Sequence, residues 1–182
     1  MRCFLCIEIK KIEIITKVLQ FQEELKQANA KIKFVESENL HLTLKFLGNI
    51  ESTLIDEIYV IMKKIPFSSF SINLETVGSF PVSRPRIIWI GISEGQDELT
   101  SIMKFLNHNL KDIGFKPEKR KPSVHLTIGR IKSVKDRQSL LNIIQKWEKY
   151  SFGKMQIKSI QLKKSVLTPK GPIYTTLKEI SD

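Results

Sequence analysis

The sequence predicts an α+β fold built from two duplicated halves related by a pseudo-two-fold axis, packed as one body around a cleft. Three observations predict it. Short β-prone runs alternate with runs of helical apolar spacing along the chain. The tetrapeptide His41-Leu42-Thr43-Leu44 recurs as His125-Leu126-Thr127-Ile128, an offset of 125 − 41 = 84 residues. The β-prone run at Ile87 follows the one at Cys3 by the same 87 − 3 = 84 residues. Each half reads strand, helix, histidine strand, helix, strand, which is a duplicated unit. With no long linker between the halves, one domain over residues 1–182 is expected. The pseudo-axis then faces the two histidine strands across one cleft.

The elements follow in order. Cys3 to Ile9 is an apolar strand, and Ile12 to Gln27 places Ile14, Ile15, Val18, Leu19, Phe21 and Leu25 at helical spacing. Lys31 to Val35 is a short strand. Asn39 to Leu47 is a strand closed by the turn signal Gly48-Asn49. Ser52 opens a helix to about Lys64, which Pro66 stops. Phe70 to Val77 alternates as a strand, Gly78-Ser79-Phe80-Pro81 reads as a loop, and Arg86 to Ile92 is a strand. Asp97 to Ile113 is a helix broken at Gly114, and Phe115 to Pro122 a basic connector or edge strand. Val124 to Ile131 is the second histidine strand and Lys135 to Lys149 a helix. Phe152 to Val166 alternates as one long strand, Pro169 to Pro172 is a turn, and Ile173 to Glu179 closes the chain as a strand.

Composition narrows the partner. Hydrophobic residues make up 41% and charged residues 27% of the chain, enough apolar material for a core. Lys+Arg 30 against Asp+Glu 19 leaves a net charge of +11, with a pI near 9.7. That balance favours a polyanion such as RNA, DNA or an anionic membrane; lysines that only solubilise the surface are the alternative. Cys3 and Cys6 look like Cys-x-x-Cys, but residues three apart on a strand point to opposite faces. Free thiols in a reducing compartment are expected. No apolar stretch reaches membrane-spanning length, and Glu8 and Lys10 interrupt the first run too early for a signal peptide. The expectation is a soluble, cytoplasmic chain with no membrane partner.

The repeat carries chemistry. Only three histidines occur, and two sit in it. On a strand His41 shares a face with Thr43, and His125 with Thr127, while Leu42 and Leu126 point into apolar packing. Two such strands make a near-symmetric box of two imidazoles and two hydroxyls that suits a tetrahedral phosphate. In-line displacement at phosphorus needs one group to deprotonate the attacker and one to protonate the leaving oxygen; two flanking imidazoles supply both without a metal or other cofactor. A strained 2′,3′-cyclic phosphate is a natural substrate for such a pair. Two other readings stand beside this one: zinc ligands, although a third ligand at metal spacing is missing, and structural histidines paired with their threonines. His108, between Asn107 and Asn109 on a helix, reads as surface.

These motifs resemble the two-histidine phosphoesterase superfamily, and within it the RNA 2′,3′-cyclic phosphodiesterase family, also called 2′-5′ RNA ligase. The resemblance covers nearly the whole chain: Arg2-Cys3-Phe4, Glu38 to Gly48, Gly78-Ser79-Phe80-Pro81, His125 to Arg130, and Leu167 to Tyr174. It implies a bilobal α+β fold, two pseudo-two-fold related antiparallel β-sheet lobes with outer helices around a V-shaped cleft, and hydrolysis of RNA cyclic phosphate ends to 2′-phosphomonoesters, with His41 as proton donor and His125 as proton acceptor. It also implies 2′-5′ ligation by the reverse reaction, tRNA fragments among the RNA partners, and a monomer. Where the family has proline before the second histidine, this chain has Val124. Rival functions are a module that holds RNA termini without turnover, and a phosphodiesterase acting on another cyclic or 2′-5′ linked nucleotide.

Supporting residues follow. Thr43 and Thr127 are expected to bind the substrate phosphate. Strict alternation turns Arg130 away from His125; Gly129 can mark a bulge that re-aims it. The resemblance places Arg130 near the phosphate, and a structural ion pair is the alternative. Lys45 shares a face with His41 and meets either RNA or solvent. Lys116, Lys119, Arg120 and Lys121 guide RNA or are plain surface. Among aromatics, Phe46 and Trp89 read as core, and Phe80 is the candidate for base stacking.

Overall fold

The computed structural model describes residues 1–81, 84–118, 123–169 and 171–182. The strands are β1 (Arg2–Glu8), β2 (Ala30–Phe34), β3 (His41–Asn49), β4 (Phe70–Phe80), β5 (Ile87–Glu94), β6 (Leu126–Val134), β7 (Ser151–Ile157), β8 (Ser159–Leu167) and β9 (Pro172–Ser181). The helices are α1 (Ile12–Leu25), α2 (Leu54–Met62), α3 (Gln96–Asn109) and α4 (Arg137–Trp147). One curled antiparallel sheet runs β7-β4-β5-β6-β3-β1-β8-β9, with β2 alongside β6.

The sheet divides where β3 meets β6. One lobe holds β3, β1, β8 and β9; the other holds β6, β5, β4, β7 and β2. Helices α2 and α3 pack against β9 and β3 of the first lobe, and α1 and α4 against β6, β7 and β4 of the second. The lobes therefore exchange elements. From the first half of the sequence, α1, β2 and β4 enter the second lobe; from the second half, α3, β8 and β9 enter the first. Apolar periodicity explains the helix seats: Ile14, Val18, Phe21 and Leu25 of α1 are all buried. Asp136 caps α4 by accepting from the Ser139 amide at 3.0 Å.

Pairing overrides local composition at several boundaries. Gly78, Ser79 and Phe80, expected in a loop, complete β4 opposite Trp89, Ile88 and Ile87. Gly48 and Asn49 stay in β3, opposite Cys3 and Arg2. The single long strand from Phe152 is two strands parted at Lys158, because β7 pairs with β4 in one lobe and β8 with β1 in the other. Val124 and His125 lie just before β6. Among the described residues, Phe115 to Glu118 form no strand.

Candidate active site

The two histidine strands touch at one antiparallel pair, Leu42 opposite Leu126, and diverge from there. Both leucines are fully buried. Extending this register by one residue each way sets His41 opposite Thr127 and Thr43 opposite His125. All four are half-buried on one face. The imidazoles occupy one diagonal of the square and the hydroxyls the other. Diagonal neighbours on regularly paired strands sit roughly 7–8 Å apart.

A matched β-bulge then re-aims each motif. Leu5 pairs with Lys45 and Cys6 with Thr43, so Leu44 is the extra residue. Ile88 pairs with Gly129 and Trp89 with Thr127, so Ile128 is the extra residue in the other lobe. These pairs also correct the spacing of the flanking strands: Leu5 and Ile88 correspond (88 − 5 = 83), while Lys45 and Gly129 keep the motif offset (129 − 45 = 84). The fifth motif position turns into the core and the sixth into the cleft. Lys45 is therefore buried and faces α3. It donates to Asn107 Oδ1 at 2.8 Å and the Lys116 carbonyl at 3.3 Å, with a Glu118 carboxylate oxygen 3.4 Å away. It therefore lies on the side of β3 away from His41 and Thr43. Phe46, expected in the core, is 61% exposed opposite Phe4. Arg130 occupies the equivalent cleft-facing place in the second lobe, as the Gly129 bulge reading anticipated.

Each imidazole is oriented the same way. His41 Nδ1 lies 2.6 Å from the Asn39 carbonyl and His125 Nδ1 lies 3.2 Å from the Ser123 carbonyl, in both cases two residues back. A carbonyl only accepts, so Nδ1–H donates and Nε2 is left for chemistry. Burial lowers the pKa of both rings below the ordinary histidine value. The Arg130 charge pushes both further down, and Lys163 adds to the effect at His41; the carbonyl bonds oppose it. Arg130 thus acts on both histidines at once, and it also lowers the pKa of Tyr174, which burial raises.

Aromatic rings wall the two imidazoles. The His41 ring lies 5.0 Å from Phe4 and 5.4 Å, edge-on, from Tyr174. The His125 ring lies 5.5 Å from Phe80 and 6.3 Å from Trp89, and Phe80 stacks on Trp89 at 5.0 Å. Trp89, expected in the core, is on the cleft face because Thr127 is its partner across the ladder. It lies over Gly78, where an added Cβ would fall 2.2 Å from the indole. Sequence reasoning did not single out Tyr174, Phe4, Glu8 or Lys163. Lys163 is buried and pairs with Glu8, the residue opposite His41, and Glu8 also holds Lys10 at 2.6 Å. Burial raises the Glu8 pKa, but the two lysine hydrogen bonds outweigh it and the carboxylate sits below its usual range. Their signal was faint: single charges at separated places on two strands.

The remaining candidates fall elsewhere. Lys119, Arg120 and Lys121 lie outside the described residues, and Lys116 contributes its carbonyl to Lys45. His108 is exposed in the last turn of α3. Cys3 and Cys6 are buried free thiols, and burial pushes Cys6 up to about 12. Among the described residues, no three His, Cys, Asp or Glu side chains form a cluster suited to a metal, and no helix is long and apolar enough to cross a membrane.

Comparison with known proteins decides the family. Residues 2–181 match the family described as the AKAP7 2′5′ RNA ligase-like domain. The chain is 40% identical over 180 residues to an RNA 2′,3′-cyclic phosphodiesterase of Methanocaldococcus jannaschii, covering 98% of this chain and 99% of that one. It is 37% identical to another of that name from Archaeoglobus fulgidus, covering 98% of each. The chain belongs to the RNA 2′,3′-cyclic phosphodiesterase (2′-5′ RNA ligase) family of two-histidine phosphoesterases. Solved structures share the family fold at lower identity. TT0787 of Thermus thermophilus superposes with a TM-score of 0.83 at 23% identity, covering 100% of this chain and 97% of that one. LigT of E. coli, complexed with 3′-AMP, superposes with a TM-score of 0.78 at 20% identity, covering 99% and 96%.

Proposed function

We propose that this chain is a metal-independent cyclic phosphodiesterase that opens RNA 2′,3′-cyclic phosphate ends to 2′-phosphomonoesters. One observation supports the proposal: the Leu42–Leu126 pairing brings the two His-x-Thr motifs side by side, an arrangement we read as two imidazoles and two hydroxyls serving one phosphorus. His125 Nε2 takes a proton from water as the oxygen attacks phosphorus. His41 Nε2–H gives its proton to the leaving 3′ oxygen as that P–O bond breaks. The family resemblance supports this order. Thr43, Thr127 and Arg130 hold the non-bridging oxygens. The anionic phosphodiester offsets the Arg130 charge and raises the imidazole pKa values on binding, which allows one ring to carry the proton it must donate. With a 5′-hydroxyl attacking in place of water, a P–O5′ bond forms as the P–O3′ bond breaks and the ends are joined 2′-5′; the reverse step, attack by the freed 3′-hydroxyl, re-forms the cyclic ester and releases the 5′-hydroxyl.

Phe80, stacked on Trp89 beside His125, offers a face to the terminal base. We take residues 1–182 as one domain, working as a monomer in the cytoplasm on RNA ends such as those of tRNA fragments; the element exchange between lobes supports the single domain. The test is to incubate the purified protein with adenosine 2′,3′-cyclic phosphate in excess chelator and to locate the product phosphate by phosphorus NMR. A 2′-phosphate is expected. Binding without turnover, a metal requirement, or a 3′-phosphate product would overturn the proposal.

A further inference from the structure

We infer that β2 is a phosphate track. Lys33 and Lys31 hold backbone phosphates of the RNA that leads to the cyclic end, which makes a polynucleotide the preferred substrate over a mononucleotide. This rests on the reading of the site as one for RNA ends. The register places the track. Lys33 is the ladder partner of Arg130 and Lys31 that of Ser133, so both lysines share the cleft face with the guanidinium. Packing fixes that choice of face. Gly129 has no side chain, and its vacant Cβ position lies 3.0 Å from Ile32 and 3.5 Å from Phe34 on the core side. Ile32 and Phe34 are thereby held inward, and the alternating lysines point outward, exposed.

The charges are available. Among the described residues neither Lys31, Lys33 nor Arg130 forms an ion pair. The cations beside the other histidine, Lys10 and Lys163, are both held by Glu8. The wall of the first lobe presents Phe46 where the second presents Arg130. Lys31 and Lys33 are spaced by about 6.6–6.8 Å along the strand, a step comparable to that between phosphates of an extended single strand. Arg130 acts on both imidazoles, and Lys33 then Lys31 continue outward from it. A cyclic mononucleoside phosphate carries no further backbone phosphate for these lysines to hold.

The test compares wild type with the Lys31→Gln, Lys33→Gln double variant on two substrates, adenosine 2′,3′-cyclic phosphate and a hexanucleotide ending in a 2′,3′-cyclic phosphate. The hexamer is expected to lose about tenfold in kcat/KM at low salt while the mononucleotide is unchanged. The slope of log kcat/KM against log salt for the hexamer should shrink by about 1.4, since each phosphate contact on a single strand contributes about 0.7. The double arginine variant should restore both. Equal effects on the two substrates, or none, would overturn the track. Binding of a fluorescent 2′-phosphate hexamer, read by anisotropy, tests the lysines without catalysis. Weaker binding in the double variant supports the track even if wild type turns nothing over, an outcome that would sink the RNA-end activity alone; unchanged binding sinks the track.

Discussion

At the residue scale, the proposed chemistry rests on two imidazoles whose surroundings favour the neutral form. Burial and the shared Arg130 charge disfavour each imidazolium. Removing that charge must therefore raise both pKa values. The Arg130→Gln variant should show the His41 and His125 C2–H resonances titrating at higher pH than in wild type, with the acid limb of kcat/KM displaced the same way. Unchanged titrations would place Arg130 away from the rings. Lys45 gives the opposite kind of test. Its ammonium ties β3 to Asn107 on α3 and to Glu118. Lys45→Met leaves that polar cluster short of a donor, and a loss of about 1–3 kcal/mol in urea unfolding is expected, with the KM for the cyclic mononucleotide unaltered. A weaker KM at full stability would return Lys45 to the substrate.

At the scale of elements, the bulges decide what each histidine strand shows to the cleft. A regular strand would present Lys45 and Gly129; the extra residues at Leu44 and Ile128 present Phe46 and Arg130 instead. The ladder between β4 and β5 is equally specific. Gly78 gives Trp89 its place, and an alanine there collides with the indole at 2.2 Å. Gly78→Ala should cost about 1–3 kcal/mol by overpacking and disturb the Phe80–Trp89 pair, raising KM more than it lowers kcat. A chemical denaturation curve with steady-state kinetics checks both. Much of the site was legible because the repeat spans whole strands: alternation alone paired His41 with Thr43 and His125 with Thr127. The bulges were only half legible. Gly129 hinted at one, but nothing in Leu44-Lys45 marks the other, and so Lys45 and Phe46 were assigned to the wrong faces. Trp89 misled for a related reason, since a tryptophan between isoleucines looks buried until its ladder partner is known.

At the scale of the whole molecule, duplication was readable and exchange was not. The matched spacing announces two copies of a unit, but only the pairing of β4 with β5 and of β8 with β1 shows each copy lending elements to the other lobe. The break at Lys158 follows from that exchange and has no turn signal in the sequence. Interlocked lobes should unfold together. Far-UV circular dichroism and tryptophan fluorescence are expected to give coincident urea transitions, and fragments 1–86 and 87–182 to stay unfolded when made apart. Two separated transitions would contradict this picture.

The central claim is that both imidazoles serve one phosphorus centre as a unit. Groups that act together show strongly non-additive losses. His41→Ala and His125→Ala should each lower kcat by about 10²–10⁴-fold. The direct measurement is kcat of the double alanine variant on a 2′,3′-cyclic nucleotide, which should fall within a few-fold of the lower single variant. A double variant whose loss equals the product of the two single losses would show that the rings act independently.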